Sequence, residues 1–278
     1  MRASSQRAAL PTLLAVACVL LPSLVMAAGP ETAPPPEAPL HHRADGFQNN
    51  YVEFERKSLT ELLSWRWQAA RQGLPRAPSR PIPTAAPDLA FIRSNAAAGS
   101  AMQPAVTWVG HATVLAQLGG INVLTDPIFS QRASPVQWVG PQRAQPPGVA
   151  MAELPHIDAV VISHNHYDHF DEESLRQLNR QSGGPPLFLV PLGLKAWLAE
   201  ISVTNVVELD WWQSHRIGEV EFVLTPAQHW SARGLTDTLQ TLWGSWAVFA
   251  PDLHLFFAGD TGYSKDFRDI SRHFADRQ

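Results

Sequence analysis

The chain predicts a mixed α/β fold of layered sheets covered by helices, and three observations carry that prediction. Short apolar runs rich in Val, Ile and Leu recur through its second half. Segments with helical periodicity and their own start and stop residues lie between those runs. Glycine-containing turns join the earliest runs too tightly for anything but antiparallel neighbours.

The elements follow in order. Arg2 and Arg7 precede a largely apolar stretch from Ala8 to Val25, and Val25-Met26-Ala27-Ala28 offers small residues for cleavage. Residues 1–27 therefore read as an export signal, although an uncleaved anchor fits the same pattern. Cys18, the only cysteine, lies inside it. The exported chain then has no disulfide and no thiolate ligand, so any metal must be held by His, Asp or Glu. Residues 28–40 are Pro-rich and aperiodic, an extended linker, and the folded domain is expected over 41–278.

Ser58 to Gln72 is a helix: Ser58 and Glu61 form a capping box, Leu59, Leu62, Leu63, Trp67 and Ala70 make one apolar face, and Gly73 ends it. Arg76 to Pro87 is a Pro-rich loop. Ala105–Val109, Ala112–Leu118 and Ile121–Thr125 are consecutive strands, turned at Gly110 and Gly119-Gly120. The run Ala159-Val160-Val161-Ile162 is a buried strand. A helix from Glu172 to about Arg180 follows, with Asp171 as its N-cap, then a strand at Leu187–Val190 and a helix at Leu194–Glu200. Strands at Asn205–Leu209, Glu219–Thr225, Leu242–Phe249 and Leu253–Ala258 complete the series.

Composition is that of an ordinary enzyme. The chain has 278 residues and a formal net charge of −4, so no basic surplus points to nucleic acid. The ten tryptophans are abundant. Trp65, Trp67, Trp138, Trp211 and Trp212 stand among Pro and Arg, where most should be core and some line an apolar groove.

Chemistry concentrates in Ser163-His164-Asn165-His166-Tyr167-Asp168-His169, directly after the buried strand. A polar turn accounts for one or two such residues, but not for three imidazoles and a carboxylate at alternating spacing. Neutral imidazole nitrogen and carboxylate oxygen are the donors a catalytic zinc takes when it keeps a position open for water. His229, after the strand ending at Thr225-Pro226, and Asp260, in Ala258-Gly259-Asp260-Thr261-Gly262, sit at later strand ends. Each alone is an unremarkable surface or turn residue. Together with His164, His166, Asp168 and His169 they supply donors for two zinc ions bridged by hydroxide. His111 and Asp126, at the ends of neighbouring strands, are placed either to hydrogen-bond a ligand and fix its tautomer or merely to close turns.

The His-Asn-His-Tyr-Asp-His run, His229 and Asp260 resemble, in order and spacing, the metallo-β-lactamase superfamily. Within it the chain is similar to the N-acylphosphatidylethanolamine-hydrolysing phospholipase D branch. That narrower likeness rests on His41-His42, Gly46-Phe47-Gln48-Asn49-Asn50-Tyr51, Trp108-Val109-Gly110-His111-Ala112-Thr113, Thr125-Asp126-Pro127-Ile128-Phe129-Ser130 through Pro135, Trp243-Gly244-Ser245-Trp246, and Phe256 through Tyr263. The resemblance implies a four-layer αββα sandwich with the metals at one edge between the sheets. It implies one Zn2+ on His164, His166 and His229, and a second on Asp168 and His169 with Asp260 bridging. The family supplies a further histidine to the second ion, downstream of the bridging aspartate in a His-Trp-Gly type segment that this sequence does not contain. His273 reads as a solvated helix residue. The expectation is thus a chain lacking its last elements, with a weakened second site and with strands 242–249 and 253–258 short of partners.

The function implied is a zinc-dependent phosphodiesterase of phospholipase D type, acting on N-acyl-ethanolamine phospholipids at a membrane surface, with Asp168 as both ligand and orienter of the nucleophile. Phe129, Val136, Trp138 and Val139 are expected along its apolar approach. A lactonase or other ester hydrolase on the same fold is the rival, and a non-catalytic relative is the third reading. The export signal places the domain in the periplasm or on a membrane if the source is bacterial.

Overall fold

The computed structural model describes residues 39–277 apart from 75–77 and 79. The export signal, nearly all of the linker and Cys18 lie outside the described residues. A short hairpin, β1 (His42–Arg43) and β2 (Gly46–Phe47), opens the chain, followed by helices α1 (Leu59–Gln72) and α2 (Leu89–Ala96). Next come β3 (Ala105–Gly110), β4 (Thr113–Leu118), β5 (Ile121–Thr125), β6 (Ala159–Val161), α3 (Glu172–Asn179), β7 (Leu187–Pro191), α4 (Leu194–Glu200) and β8 (Val206–Leu209). Then follow β9 (Ser214–Ile217), β10 (Val220–Thr225), β11 (Ser245–Phe249), β12 (His254–Phe257) and α5 (Asp266–His273).

Strands β3-β4-β5-β6-β7-β8 form a six-stranded sheet in sequence order, and β12-β11-β10-β9 a four-stranded one. The first three strands of the larger sheet are antiparallel, because tight turns join them; β5 to β8 are parallel. Parallel strands are buried on both faces, which is why β6 reads as an unbroken apolar run. Its side chains alternate between two cores. Val160 and Ile162 join Leu115, Leu124, Leu175, Phe188 and Leu198 on the helix-covered side. Ala159 and Val161 face Trp211, Phe222, Leu224, Trp243 and Trp246 in the core between the sheets. Val223 and Ala247, on the outer face of the smaller sheet, meet Phe274 just after α5. Helices, sheet, sheet and helix make the four layers that the family resemblance implies.

Several expectations are corrected. Helix α2 and strand β9 have no counterpart among the expected elements, since each is short, with faces set by contacts rather than by long periodicity. Strand β11 begins at Ser245 rather than Leu242. It is paired on both sides, and β12, not β11, is the strand at that edge of the smaller sheet among the described residues, β9 being the other edge. Asp171 stands at the N-cap of α3 without capping it; its carboxylate instead accepts from the backbone N–H groups of Phe129 and Ser130 and from the Ser130 and Ser174 hydroxyls. Helix α1 keeps its capping box and its left-handed Gly73, yet none of its residues is buried. Trp65, Trp67 and Trp138 are exposed, whereas Trp211 is core.

Candidate metal centre

Strand direction gathers the donors at one edge. β3, β5 and β6 run the same way in the larger sheet, so the residues after them, His111, Asp126 and Ser163–His169, emerge together. β10 and β12 both run antiparallel to β11 and hence parallel to each other, so His229 and Asp260 emerge together from the smaller sheet. Two contacts lock the sheets at this edge: Gly244 N–H donates to the Ser163 carbonyl at 2.9 Å, and Trp246 Nε1 to the Ile162 carbonyl at 2.9 Å. Gly259, at φ 59°, lets the Asp260 loop come close, because a Cβ there would lie 2.6 Å from Ser163 Cβ.

Two donor groups result. In the first, His166 Nδ1 lies 2.8 Å from His164 Nε2, and His229 Nε2 lies 3.2 Å from both. In the second, His169 Nε2 lies 3.6 Å from Asp168 Oδ2 and 3.4 Å from Asp260 Oδ1, while His111 Nε2 donates to Asp168 Oδ2 at 3.0 Å. Asp260 Oδ2 also approaches His229 Nε2, at 3.9 Å, so this carboxylate faces both groups.

Asp126 organises the histidines from beneath. It is fully buried and accepts Ser163 N–H at 2.7 Å on Oδ1. On Oδ2 it accepts the Ser163 hydroxyl at 2.5 Å and His169 Nδ1 at 2.7 Å. Having given its proton to Asp126, Ser163 Oγ accepts from His164 Nδ1 at 2.8 Å. These bonds place a proton on each Nδ1, so His164 Nε2 presents a lone pair to the centre, and His169 Nε2 is the position that either a proton or a metal ion would take. His111 and Asp126 hold positive φ, 51° and 31°, a strained backbone kept where the side chains bond to these groups.

The electrostatics of the two groups differ. Burial pushes His164 well below the usual histidine range, with neighbouring imidazoles adding to it. His166 and His229 are each lowered to about 4, again chiefly by burial. Burial would also lower His169, but Asp126, Asp260 and Asp168 outweigh it and raise this histidine to about 10. Burial would raise Asp168, but the His111 hydrogen bond and the His169 charge bring it to about 2.

This set fits a metal ion. Three neutral imidazole nitrogens within 3.2 Å of each other hold lone pairs that repel unless a cation lies among them. His169 Nε2 is buried without a hydrogen-bond partner while two carboxylates face it, so a cation answers the same field that raises its basicity.

The chain matches the Beta-lactamase superfamily domain over residues 121–276, more than half its length. It belongs to the metallo-β-lactamase superfamily. An uncharacterised protein of Mycobacterium tuberculosis is 45% identical to it over 212 residues, covering 76% of this chain and 54% of the relative. N-acyl-phosphatidylethanolamine-hydrolyzing phospholipase D 1 of Caenorhabditis elegans is 39% identical over 166 residues, 56% of this chain and 46% of the relative. The mitochondrial enzyme of the same name from Saccharomyces cerevisiae is 38% identical over 165 residues, 58% of this chain and 35% of the relative. The chain thus spans about half or less of the length of these relatives. Other relatives are named metal-dependent hydrolases, among them one of Koribacter versatilis, 28% identical over 171 residues, 59% of this chain and 66% of the relative.

All six expected metal donors meet at the one edge, and His111 and Asp126 bond to two of them. The approach is built differently from expectation. A cavity of about 610 Å³ leads to His166 and Asp168 and is lined by Ile82, Trp108, His111, Ile128, Arg143, Pro146, Tyr167 and Trp230. Phe129 instead packs against the helix-side core, and Trp138 is 80% exposed and outside the cavity wall. The Phe129 backbone N–H is anchored at the start of α3, donating to Ser174 Oγ at 2.9 Å and to Asp171 Oδ2 at 3.2 Å. His273 is exposed at the end of α5 and lies against Trp212, 4.5 Å between ring centres with the rings tilted by 30°, and it joins none of the donor groups.

Asn49 is a support that sequence pattern alone does not reveal. Its amide brackets His229, accepting the His229 N–H at 3.1 Å and donating to the His229 carbonyl at 2.9 Å. The Gly46–Tyr51 segment was visible as a family motif, but no sequence signal ties it to a residue so far along the chain.

Proposed function

We propose that the chain is a zinc-dependent phosphodiesterase of phospholipase D type, cleaving N-acylphosphatidylethanolamine-like phospholipids. The carrying observation is the pairing of a neutral three-histidine group with a carboxylate-rich group on a shared edge, joined by Asp260 and opening on a largely apolar cavity. The relatives named as N-acyl-phosphatidylethanolamine-hydrolysing phospholipases D support the substrate class.

His164, His166 and His229 would hold one zinc; Asp168 and His169 would hold a second, with Asp260 between them. Zinc at such a site lowers the pKa of water and neutralises charge on a phosphoryl oxygen. The chain's own residues supply the rest. Asp168 lines the cavity, and His111 fixes the orientation of its carboxylate, so Asp168 is the group that orients the nucleophile. Trp108, Ile128 and Trp230 shed water from the acyl chains, and Arg143 offers a cation on the cavity wall. Its Nε and Nη2 are spent on the carbonyls of Ser130 and Ile128.

A membrane surface is the proposed working place, with the export signal delivering the domain there. No helix among the described residues is long and apolar enough to cross a membrane. Helix α1, however, exposes Leu59, Leu63, Trp65 and Trp67 together with Arg66 and Arg71, the make-up of a helix lying in a lipid interface.

The test is phosphatidic acid release from N-acylphosphatidylethanolamine vesicles by the zinc-loaded chain, against a panel of lactones and simple esters. Phosphatidic acid release with inert lactones supports the proposal. Lactone turnover without phosphodiester cleavage assigns the rival chemistry.

A further inference from the structure

Arg233 lies four positions after His229 and reaches from that loop into the one carrying the other histidines. Its backbone N–H is held by Asp237 Oδ2 at 2.7 Å. Its Nη1 donates to the Asn165 carbonyl at 2.9 Å and to the Phe170 carbonyl at 2.8 Å, and Nη2 to Glu172 Oε1 at 3.2 Å. The guanidinium lies 4.0 Å from the Tyr167 ring centre, 5.0 Å from Phe170 and 5.7 Å from Trp197. Only 5% of the side chain is exposed.

Those two carbonyls flank the segment that contains His166, Asp168 and His169. One planar donor therefore ties both ends of the ligand loop to each other and to the loop of the third histidine. A buried guanidinium is costly unless its donors are satisfied; here two carbonyls, a carboxylate and three rings satisfy it, and its geometry is fixed as a consequence.

We infer that Arg233 is a positioning residue that sets the spacing of His166 and His229 and so the affinity of the three-histidine group for its metal. The inference rests on reading that group as the ligands of a bound ion. The geometry also explains why lysine is a poor substitute: a compact ammonium on a flexible stem cannot make two carbonyl bonds and a carboxylate bond in one plane.

The experiment measures Zn2+ affinity by chelator competition, and the visible spectrum after Co2+ substitution, in the full chain and in R233K, R233M and E172Q. Both Arg233 variants should lose roughly 10- to 100-fold in zinc affinity, the range for outer partners of metal ligands, and should show a shifted Co2+ spectrum. E172Q keeps the carbonyl bonds and should stay within a few-fold of the parent, by the same reasoning. R233K, which retains charge and bulk between the rings, decides the matter if R233M does not fold. Folded R233K or R233M with parental affinity and spectrum overturns the role of Arg233 while leaving the metal centre standing. A parental chain that takes up neither ion overturns the metal reading and this inference together.

Discussion

The three-histidine group and the carboxylate-rich group beside it come largely from one loop, yet they are held together by opposite means. His164, His166 and His229 are held by what lies behind them: Asp126 through Ser163, Asn49 on the His229 backbone, and burial that keeps the rings neutral. Asp168, His169 and Asp260 are held chiefly by charge: carboxylates, Asp126 behind and Asp260 and Asp168 beside it, charge the histidine, and His111 bonds Asp168. The first group is a preformed neutral nest whose geometry does not depend on its own charges. The second exchanges one cation for another when a metal enters, so a proton on His169 competes with the metal.

The sharpest way to break this contrast is to remove a member of the first group. His164→Ala should abolish tight zinc binding, a larger loss than the roughly 10- to 100-fold typical of outer partners, as read by metal content after dialysis. Retention of a tightly held ion would show that the neutral group is not the stronger site. Next in size, Asp168→Asn should lower phosphodiester turnover on the order of a hundredfold with the fold intact, since it removes charge from the second group only. Circular dichroism and steady-state rates check this, and full activity would refute the role of Asp168.

A smaller effect, about 10- to 100-fold in zinc affinity, is expected for Asp126→Asn. It loses an acceptor shared by Ser163 and His169 and so loosens both groups at once. Dialysis of the parent chain against buffer should leave near one zinc per chain, with the second released first; two equally retained ions would erase the distinction.

The smallest effect concerns a third set of the same residue types. His41 Nε2 and His42 Nε2 lie 2.6 and 2.8 Å from the two carboxylate oxygens of Asp210, so each nitrogen facing this carboxylate already has an acceptor. Burial would raise the Asp210 pKa, but the His41 hydrogen bond and charge outweigh it and hold it below its ordinary 3.8. A carboxylate lowered on folding adds stability above its unfolded pKa, and that stability is lost as pH falls through the folded value. Asp210→Asn should therefore melt earlier than the parent at neutral pH, with the difference shrinking below pH about 4. A pH-independent difference would assign the loss to packing alone.

Much of the centre was legible in the sequence because metal chemistry uses few residue types at short spacing. His164 to His169 follow one strand, and their alternation survives in the fold. The strand series was legible for a similar reason: Val160 and Ile162 face one core while Ala159 and Val161 face the other, a period of two that any register must respect. Phe129 and Trp138 were misplaced because apolar character gives no direction. The cavity wall is drawn from Ile82, Trp108, Arg143 and Trp230, four segments that only packing brings together. Arg233 and Asn49 were invisible as supports, since a guanidinium or amide that bonds distant carbonyls looks like any polar loop residue.

By itself the sequence determined which residues could ligate a metal, which runs had to be strands, and that an apolar strand delivers the densest cluster of donors. It did so because periodicity and donor chemistry are local properties. Tertiary structure decided that His229 and Asp260 join that cluster, which ring nitrogen each of His164 and His169 presents, and how strongly each group is charged. Those outcomes depend on two sheets meeting at a common edge and on burial at that edge, and neither pairing nor dielectric is written into any short stretch of the chain.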